Sequence, residues 1–589
     1  MAGHARGSGE CVRRPRGRRV IAGDAAASDR ELAEVVLRRF GPTASSALLV
    51  RIVTGLARAV REDHAAMDLA RRDDDHVDSA LENPDAVLDA LRAAPTLCQF
   101  LGRDDPVEVS GPPLVVLDER FLSLRRWALA EWRVARSIDE ARATVLEVPA
   151  GLTHADVEAA IAASTAELAR DGFVADELGA VVWRLLTRRV SFVTGGPGTG
   201  KTWLVTQALL TLERALAMAS APKMTFAVVA PTAKAARRLG QTLDAAVAGA
   251  ELTSLERDHD REGSLHHLLG LHPTAVAPPR PLWHDVVVVD EASMADLAML
   301  DALLRAAASA VSPCRVVLVG DPHQLASVNV GAVLADAVAE QAHTDALVTR
   351  LVTVHRTDNR DILDFASLVR AGDGEGVRRF MSDQRTDLHH YGRFDDPELV
   401  ATVVEHARAL RDAARRGDRP ALGALANALT VLAANREGPG SVAWWNERVR
   451  DALREGRASA GSRYSVGEPV LITRNQRSLG LHNGDVGVVM EVDGELNVVF
   501  DDGRERPLAA IAHAQPAWAM TIHKSQGSEY DHVVVVLARV GSPLLTRELL
   551  YTGVTRAKRS VSLVGDLAAV AAATDRQVDR VSGLTERLG

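Results

Sequence analysis

The chain has 589 residues, 47 % hydrophobic and 25 % charged, with a formal net charge of −9, the balance of a globular protein long enough for roughly four domains. No apolar run reaches the ~20 residues a membrane span requires, and Cys11, Cys98 and Cys314 are too few and too scattered for a disulfide framework or a zinc site, so a cytoplasmic protein with no membrane partner is expected. The negative balance does not exclude nucleic acid, which needs only a locally basic surface.

Residues 1–29 carry Arg13, Arg14, Arg16, Arg18 and Arg19 with no apolar segment of signal-peptide type behind them, and read as a disordered basic tail. Residues 30–165 read as a mainly helical domain. ELAEVVLRRF and SALLVRIVTGLARAVRE have helical spacing, and the strand-like PLVVLDERFLSL precedes the helical RRWALAEWRVARSI. Nothing there looks catalytic; Trp127 and Trp132 are candidates for an interface. Residues 166–350 change to strand followed by helix. FAVVA, DVVVVD and RVVLVG are continuous apolar strands of the kind buried on both faces of a parallel sheet, and each ends in a loop where open α/β sheets bind ligands. Residues 351–589 form a second α/β region containing DHVVVVL and SVSLVG. A strand cluster at about 460–515, with turn signals at Asn483-Gly484, Asp493-Gly494 and Asp502-Gly503, reads as a small β-barrel-like insertion.

The chemistry begins after Val190, Phe192 and Val193. Gly195, Gly196, Pro197, Gly198, Thr199, Gly200, Lys201 and Thr202 spell G-x-x-x-x-G-K-T, and an apolar helical pattern starts at once with Leu204, Ala208 and Leu209. Such a loop curls its N–H groups around phosphate oxygens above a helix N-terminus. Lys201 would reach the β- and γ-phosphates and Thr202 would hold Mg²⁺. In VVVVDEASM, Asp290 would help hold the metal and Glu291 would orient and deprotonate the attacking water. Gln324, in GDPHQL, would touch both γ-phosphate and water. Arg356 in VHRTDNRDI and Arg556 in YTGVTRAKRS would stabilise transition-state charge from the opposite lobe. Lysine is confined to Lys201, Lys223, Lys234, Lys524 and Lys558 in a chain that otherwise writes arginine, and four of these fall inside such motifs.

In order, GGPGTGKT, APTAKAARRL (230–239), SLHHLLG (264–270), VVVVDEASM, GDPHQLASVNVGAVL (320–334), HRTDNRDI, PVLITRN (469–475), LHNGDVGVV (481–489), AMTIHKSQGSEYDHVVVVL (519–537) and LLYTGVTRAKRSV (549–561) resemble the superfamily 1 helicases of the 5′→3′ branch, and within it the RecD-type subunits of RecBCD helicase–nucleases. The resemblance implies two RecA-like motor domains with an SH3-like insertion in the second, and ATP-driven movement along single-stranded DNA. It places Pro231, Thr232, Lys234 and His266 on DNA from the first lobe. Thr521, His523, Lys524 and Ser525 do so from the second, and Gln526, Gly527 and Glu529 approach the nucleotide. GLARAVREDHAAMDLA (55–70) and PLVVLDERFLSLRRWALAEW (113–132) resemble the segment that docks on a RecC-like subunit, which implies a heterotrimer with RecB-like and RecC-like partners. Two positions depart from the family: Leu178 stands where a glutamine reads adenine, and His355 where an aromatic such as tyrosine precedes the arginine. ATP as the nucleotide therefore follows from the family alone. A standalone helicase and a structural subunit with a decayed motor are the alternatives.

Overall fold

In the computed structural model, which describes residues 22–42, 47–70, 83–170, 177–247, 252–261, 263–271, 278–327, 329–338, 346–352, 360–383, 386–454, 463–578 and 580–588, the continuous valine-rich runs become parallel strands. The chain divides into two units, Met1–Leu129 with Val581–Gly583, and Ala130–Arg580 with Leu584–Gly589.

In the first unit the helix Ala47–Arg61 buries Ile52, Val53 and Leu56 at helical spacing. The helix Pro84–Arg92 starts on an Asn83 cap with proline in its first turn, where a missing N–H costs nothing. PLVVLDERFLSL folds as a hairpin, Leu114–Leu117 against Phe121–Leu124, reversing over Asp118 and Glu119 at φ 48 and 55. Ala66–Asp68 and Cys98–Leu101 extend it to a four-stranded sheet, so this region holds more strand than its helical spacing suggested. The short strands Ala66–Asp68 and Cys98–Leu101 have no alternating pattern long enough to read.

The second unit contains two parallel sheets. The first is seven-stranded, with spatial order Val348–Leu351, Val190–Gly195, Arg315–Gly320, Val286–Val289, Met224–Ala230 and Leu255–Arg257, and Gly263–Ser264 beside Met224–Ala230. Its core joins Val193, Val288 and Val317 to Leu204 and Leu209 of the helix Lys201–Ala219. Val157, Ala160 and Leu168 of the helix His154–Arg170 lie in the same core. The division expected at 165 therefore falls inside the first motor lobe, because the apolar stripe of that helix has its partner there.

The second sheet runs Leu388–Tyr391, Ala557–Val564, Tyr530–Val536, Leu429–Ala433 and Ala519–Thr521, all parallel. Separate cores on its two faces centre on Phe365 and Leu550, and on Trp445 and Val431. The insertion is a five-stranded antiparallel sheet, Glu505–Pro507, Glu495–Phe500, Val486–Val492, Pro469–Ile472 and Ala514–Pro516. Its tightest hairpin pairs Val492 with Glu495 across Asp493 and Gly494, both at positive φ (52 and 83) as a two-residue turn requires. The architecture is α/β with two RecA-like lobes. No helix among the described residues is long and apolar enough to cross a membrane.

Candidate nucleotide and DNA site

The strand Val190–Gly195 lies between two parallel neighbours and delivers the phosphate loop at its C-terminal end. Gly198 and Gly200 adopt φ 74 and 78, a region that side-chain-bearing residues enter at a cost of about 1–2 kcal/mol. A Cβ on Gly195 would lie 2.7 Å from Thr199 Oγ1 and 2.9 Å from the Leu351 carbonyl, so only glycine fits. Lys201 Nζ donates to the carbonyls of Gly195 and Gly196, each at 2.8 Å. The ammonium is thereby folded over the cup that the loop makes.

Thr202 Oγ1 donates to Asp290 Oδ2 at 3.1 Å, which joins the loop to the end of the strand Val286–Val289. Asp290 is 9 % exposed. Burial first, then the neighbouring Glu291 charge, pushes its carboxyl up to about 6. Glu291 itself sits in the left-handed region, φ 51, a strained backbone of the kind found at functional sites. Ser293 Oγ and Gln324 Oε1 are buried with no hydrogen-bond partner. No cluster of three or more His, Cys, Asp or Glu able to hold a metal occurs among the described residues. The donor set nonetheless suits Mg²⁺ held on phosphates. A hydroxyl and a carboxylate meet at the loop, and the carboxylate is destabilised without a cation.

The second lobe closes on this site. Tyr551 Oη donates to Asp321 Oδ2 at 3.1 Å, the Leu325 N–H donates to Thr552 Oγ1 at 2.9 Å, and Gln526 Nε2 donates to the Leu325 carbonyl at 3.0 Å. A cavity of about 670 Å³ lies there, lined by Gly196, Thr199, Arg350, Arg370 and Tyr551 among others.

The structure thus brings together the loop from Gly195 to Thr202, Asp290 and Glu291. Gln324 lies on the loop that follows the neighbouring strand Arg315–Gly320. Gln526 crosses the cleft but binds backbone. Arg556 is 4 % exposed and is spent within its own lobe, its Nε donating to Thr552 O at 3.1 Å and its Nη1 to Ser528 O at 3.4 Å. Gly527 and Glu529 line a different cavity of about 450 Å³, with Lys234 and Arg238. Glu529 accepts there from Arg238 at 2.6 Å. Arg356 and His355 lie outside the described residues. Leu178 is fully buried in the lobe core and presents nothing to a base.

Of the expected DNA contacts, Pro231, Thr232 and Lys234 are partly exposed and His266 is exposed. Thr232 Oγ1 caps the helix Ala233–Val247 by accepting from the Ala235 N–H at 3.3 Å. Burial lowers the Lys234 pKa against the opposing pull of Asp501 and Asp485. His523 and Lys524 are partly exposed, and burial followed by Arg436 lowers both. Thr521 is buried, and Ser525 is fully buried with its hydroxyl donating to Ile522 O at 2.7 Å. Ser525 shapes the turn that presents His523 and Lys524 rather than facing a strand itself. Tyr551 and Asp321 escaped the sequence reading, although both sit inside the motifs that carried it.

Residues 179–391 match the AAA domain family and residues 516–564 the UvrD-like helicase C-terminal domain. The chain is 38 % identical over 515 residues to the RecBCD enzyme subunit RecD of Mycolicibacterium smegmatis, covering 86 % of this chain and 87 % of that one. It is 31 % identical over 432 residues to the ATP-dependent RecD2 DNA helicase of Deinococcus radiodurans, covering 71 % of this chain and 53 % of that protein. Among solved structures it is similar to Bacteroides Pif1 bound to ssDNA, with 17 % identity and a TM-score of 0.40 over 67 % of this chain and 93 % of that one.

Proposed function

The chain belongs to the RecD family, and we propose that it is the ATP-dependent 5′→3′ DNA helicase and translocase subunit of a RecBCD-type helicase–nuclease acting in double-strand-break repair and recombination. RecB-like and RecC-like subunits are its partners and the cytoplasm its compartment. The observation that carries this is the convergence of Lys201, Thr202 and Asp290 at one end of the first sheet, with Tyr551, Thr552 and Gln526 of the second lobe fastened to the loop that bears Gln324.

ATP enters where Lys201 now binds the Gly195 and Gly196 carbonyls, and the ammonium exchanges those acceptors for phosphate oxygens. Thr202 and Asp290 would hold Mg²⁺, which would supply positive charge against the phosphates. Glu291 accepts the proton of the attacking water, and the free Gln324 Oε1 orients that water. Arg556 must leave its carbonyl partners to reach the γ-phosphate, so its contribution requires its side chain to swing away from Thr552 and Ser528. Thr232, Lys234 and His266 grip a DNA strand from one lobe and His523 and Lys524 from the other, through phosphate contacts that position without reading sequence, with Pro231 packing beside the strand. Alternating closure and opening of the lobes then moves the chain along the strand.

The standalone alternative is favoured by the RecD2 likeness, but this chain is 31 % identical to that protein against 38 % to the RecD subunit. The test is ATP hydrolysis by the full chain with and without single-stranded DNA, alone and with RecB- and RecC-type subunits, beside Lys201→Ala. DNA-stimulated hydrolysis that the variant lacks supports a motor. Silence in every assembly refutes it, and full unwinding without partners moves the reading to the standalone helicase.

A further inference from the structure

Asp321 follows directly on the strand Arg315–Gly320 and is 1 % exposed. Its carboxylate receives three donors. The His323 N–H reaches Oδ1 at 3.0 Å, while Gln324 Nε2 at 3.2 Å and the Tyr551 hydroxyl at 3.1 Å share Oδ2. The first two come from its own loop, and the third crosses from the helix Arg547–Val554 of the second lobe. An ionised carboxylate only accepts, so it can hold the Gln324 amide only by its NH₂ end. That fixes which way the amide points and leaves Oε1 buried and unpartnered, the acceptor available to a water or a phosphate-bound donor.

Tyr551 also touches the nucleotide side. A Cβ on Gly196 would lie 3.3 Å from its oxygen, so the hydroxyl rests against the phosphate loop while it holds Asp321. The flanking contacts, Leu325 N–H to Thr552 and Gln526 to Leu325 O, fasten the same loop from the same lobe. We infer that Tyr551 is a positioning residue for hydrolysis: through Asp321 it aims Gln324, so that the glutamine is set only while the second lobe is engaged. Burial, with the Asp321 charge adding to it, holds the phenol well above its ordinary pKa, and the hydroxyl stays a donor across the working pH range. The inference rests on the motor reading above and assigns its inter-lobe coupling to one hydrogen bond.

The experiment compares Tyr551→Phe, Asp321→Asn and the double variant in the full chain, assembled with its partners, beside Lys201→Ala. Tyr551→Phe keeps the ring and removes only the donor. It is expected to lower kcat for ATP roughly tenfold, the scale of a hydrogen bond to a charged group, with KM for ATP within about twofold and the melting temperature unchanged. The double variant is expected to fall no further than the more damaged single variant, because both break one chain of contacts. Retained kcat in Tyr551→Phe, or losses that multiply in the double variant, overturns the inference while leaving Lys201→Ala to report on the motor itself. Hydrogen exchange of residues 321–327 without nucleotide gives a second readout that needs no activity. Faster exchange in Tyr551→Phe is expected, and unchanged exchange overturns the inference.

Discussion

Replacing Glu291 by glutamine should inactivate the protein and stabilise it at once. The carboxyl of Asp290 is nearly sealed from water, with the Thr202 hydroxyl at 3.1 Å and the Glu291 N–H at 2.8 Å as its hydrogen-bond donors. Burial and the Glu291 charge raise it from 3.8 to about 6. A raised carboxyl binds its proton more tightly in the folded chain. Its contribution to stability is therefore full below pH 3.8 and declines as pH rises through 6. At pH 7 without metal the folded chain forgoes on the order of 3 kcal/mol, about two units at 1.36 kcal/mol each. Glu291→Gln removes the second of the two causes. The smaller of the two causes is then gone, so the variant is expected to be more stable than the parent at pH 7 in chelator, by less than that total.

Glu291→Gly also releases the left-handed backbone at φ 51. That adds about 0.5 kcal/mol once the ~1–2 kcal/mol of strain is set against ~0.4–1 kcal/mol of extra freedom in the unfolded chain. Both variants should lose about 10²–10⁴ in DNA-stimulated hydrolysis, the range of a general base. Urea unfolding midpoints and steady-state ATPase rates measure the two effects side by side. Hydrolysis within tenfold of the parent, or two variants less stable than the parent, would refute the assignment.

Two further outcomes follow from buried charge. His406 and His532 are held neutral by burial, each at about 4 against an ordinary 6.5, with both ring nitrogens of His532 met by Ser560 and Ser562 hydroxyls. The unfolded chain takes up these protons first, so stability is full above about pH 6.5 and falls by at most about 3 kcal/mol per ring as pH drops toward 4; a flat denaturation midpoint between pH 7.5 and 4.5 would contradict this. Asp485 is 2 % exposed and binds Arg237 of the first lobe at 3.2 Å and Arg504 of the insertion at 3.1 Å. Asp485→Ala leaves Arg237 and Arg504 with Asp502 as their remaining carboxylate, at 3.2 and 2.6 Å, and should cost about 1–2 kcal/mol, seen as faster hydrogen exchange in residues 469–516, whereas the more exposed Asp502→Ala should cost less.

Most of the candidate site's geometry was legible because its parts are local. Gly195 to Thr202 specify their loop by spacing alone, and the valine runs announce the strands that deliver Asp290 and Gln324. What was hidden is what contacts from afar decide. Arg556 reads as a free finger but lies against carbonyls of its own lobe, and Glu529 reads as a nucleotide contact but pairs with Arg238. No spacing announces that Tyr551 meets Asp321, 230 positions earlier in the chain. The insertion was readable from its turn residues, since Asp493-Gly494 and Asp502-Gly503 mark real reversals. The boundary expected at 165 cuts the helix His154–Arg170, because helical spacing shows that an apolar face has a partner, not which one.

The order of strands in the two sheets sets different moments at which the lobes can fold during synthesis. The first sheet has its last strand once Leu351 has been made. The second has Leu388–Tyr391 at one edge, held to the rest only by Ala557–Val564, a strand translated some 170 residues later. Until that strand arrives, Leu388–Tyr391 has no neighbour and Tyr530–Val536 keeps an open edge. Pairings of such long sequence separation form slowly and leave a chain exposed to aggregation while they are missing. A ribosome stalled just short of residue 557 would therefore carry a complete first sheet and an incomplete second one, with the segment 327–331 of the first lobe still waiting for Arg580. Shortening the chain by its last ~30 residues should be far more damaging than the modest tail suggests.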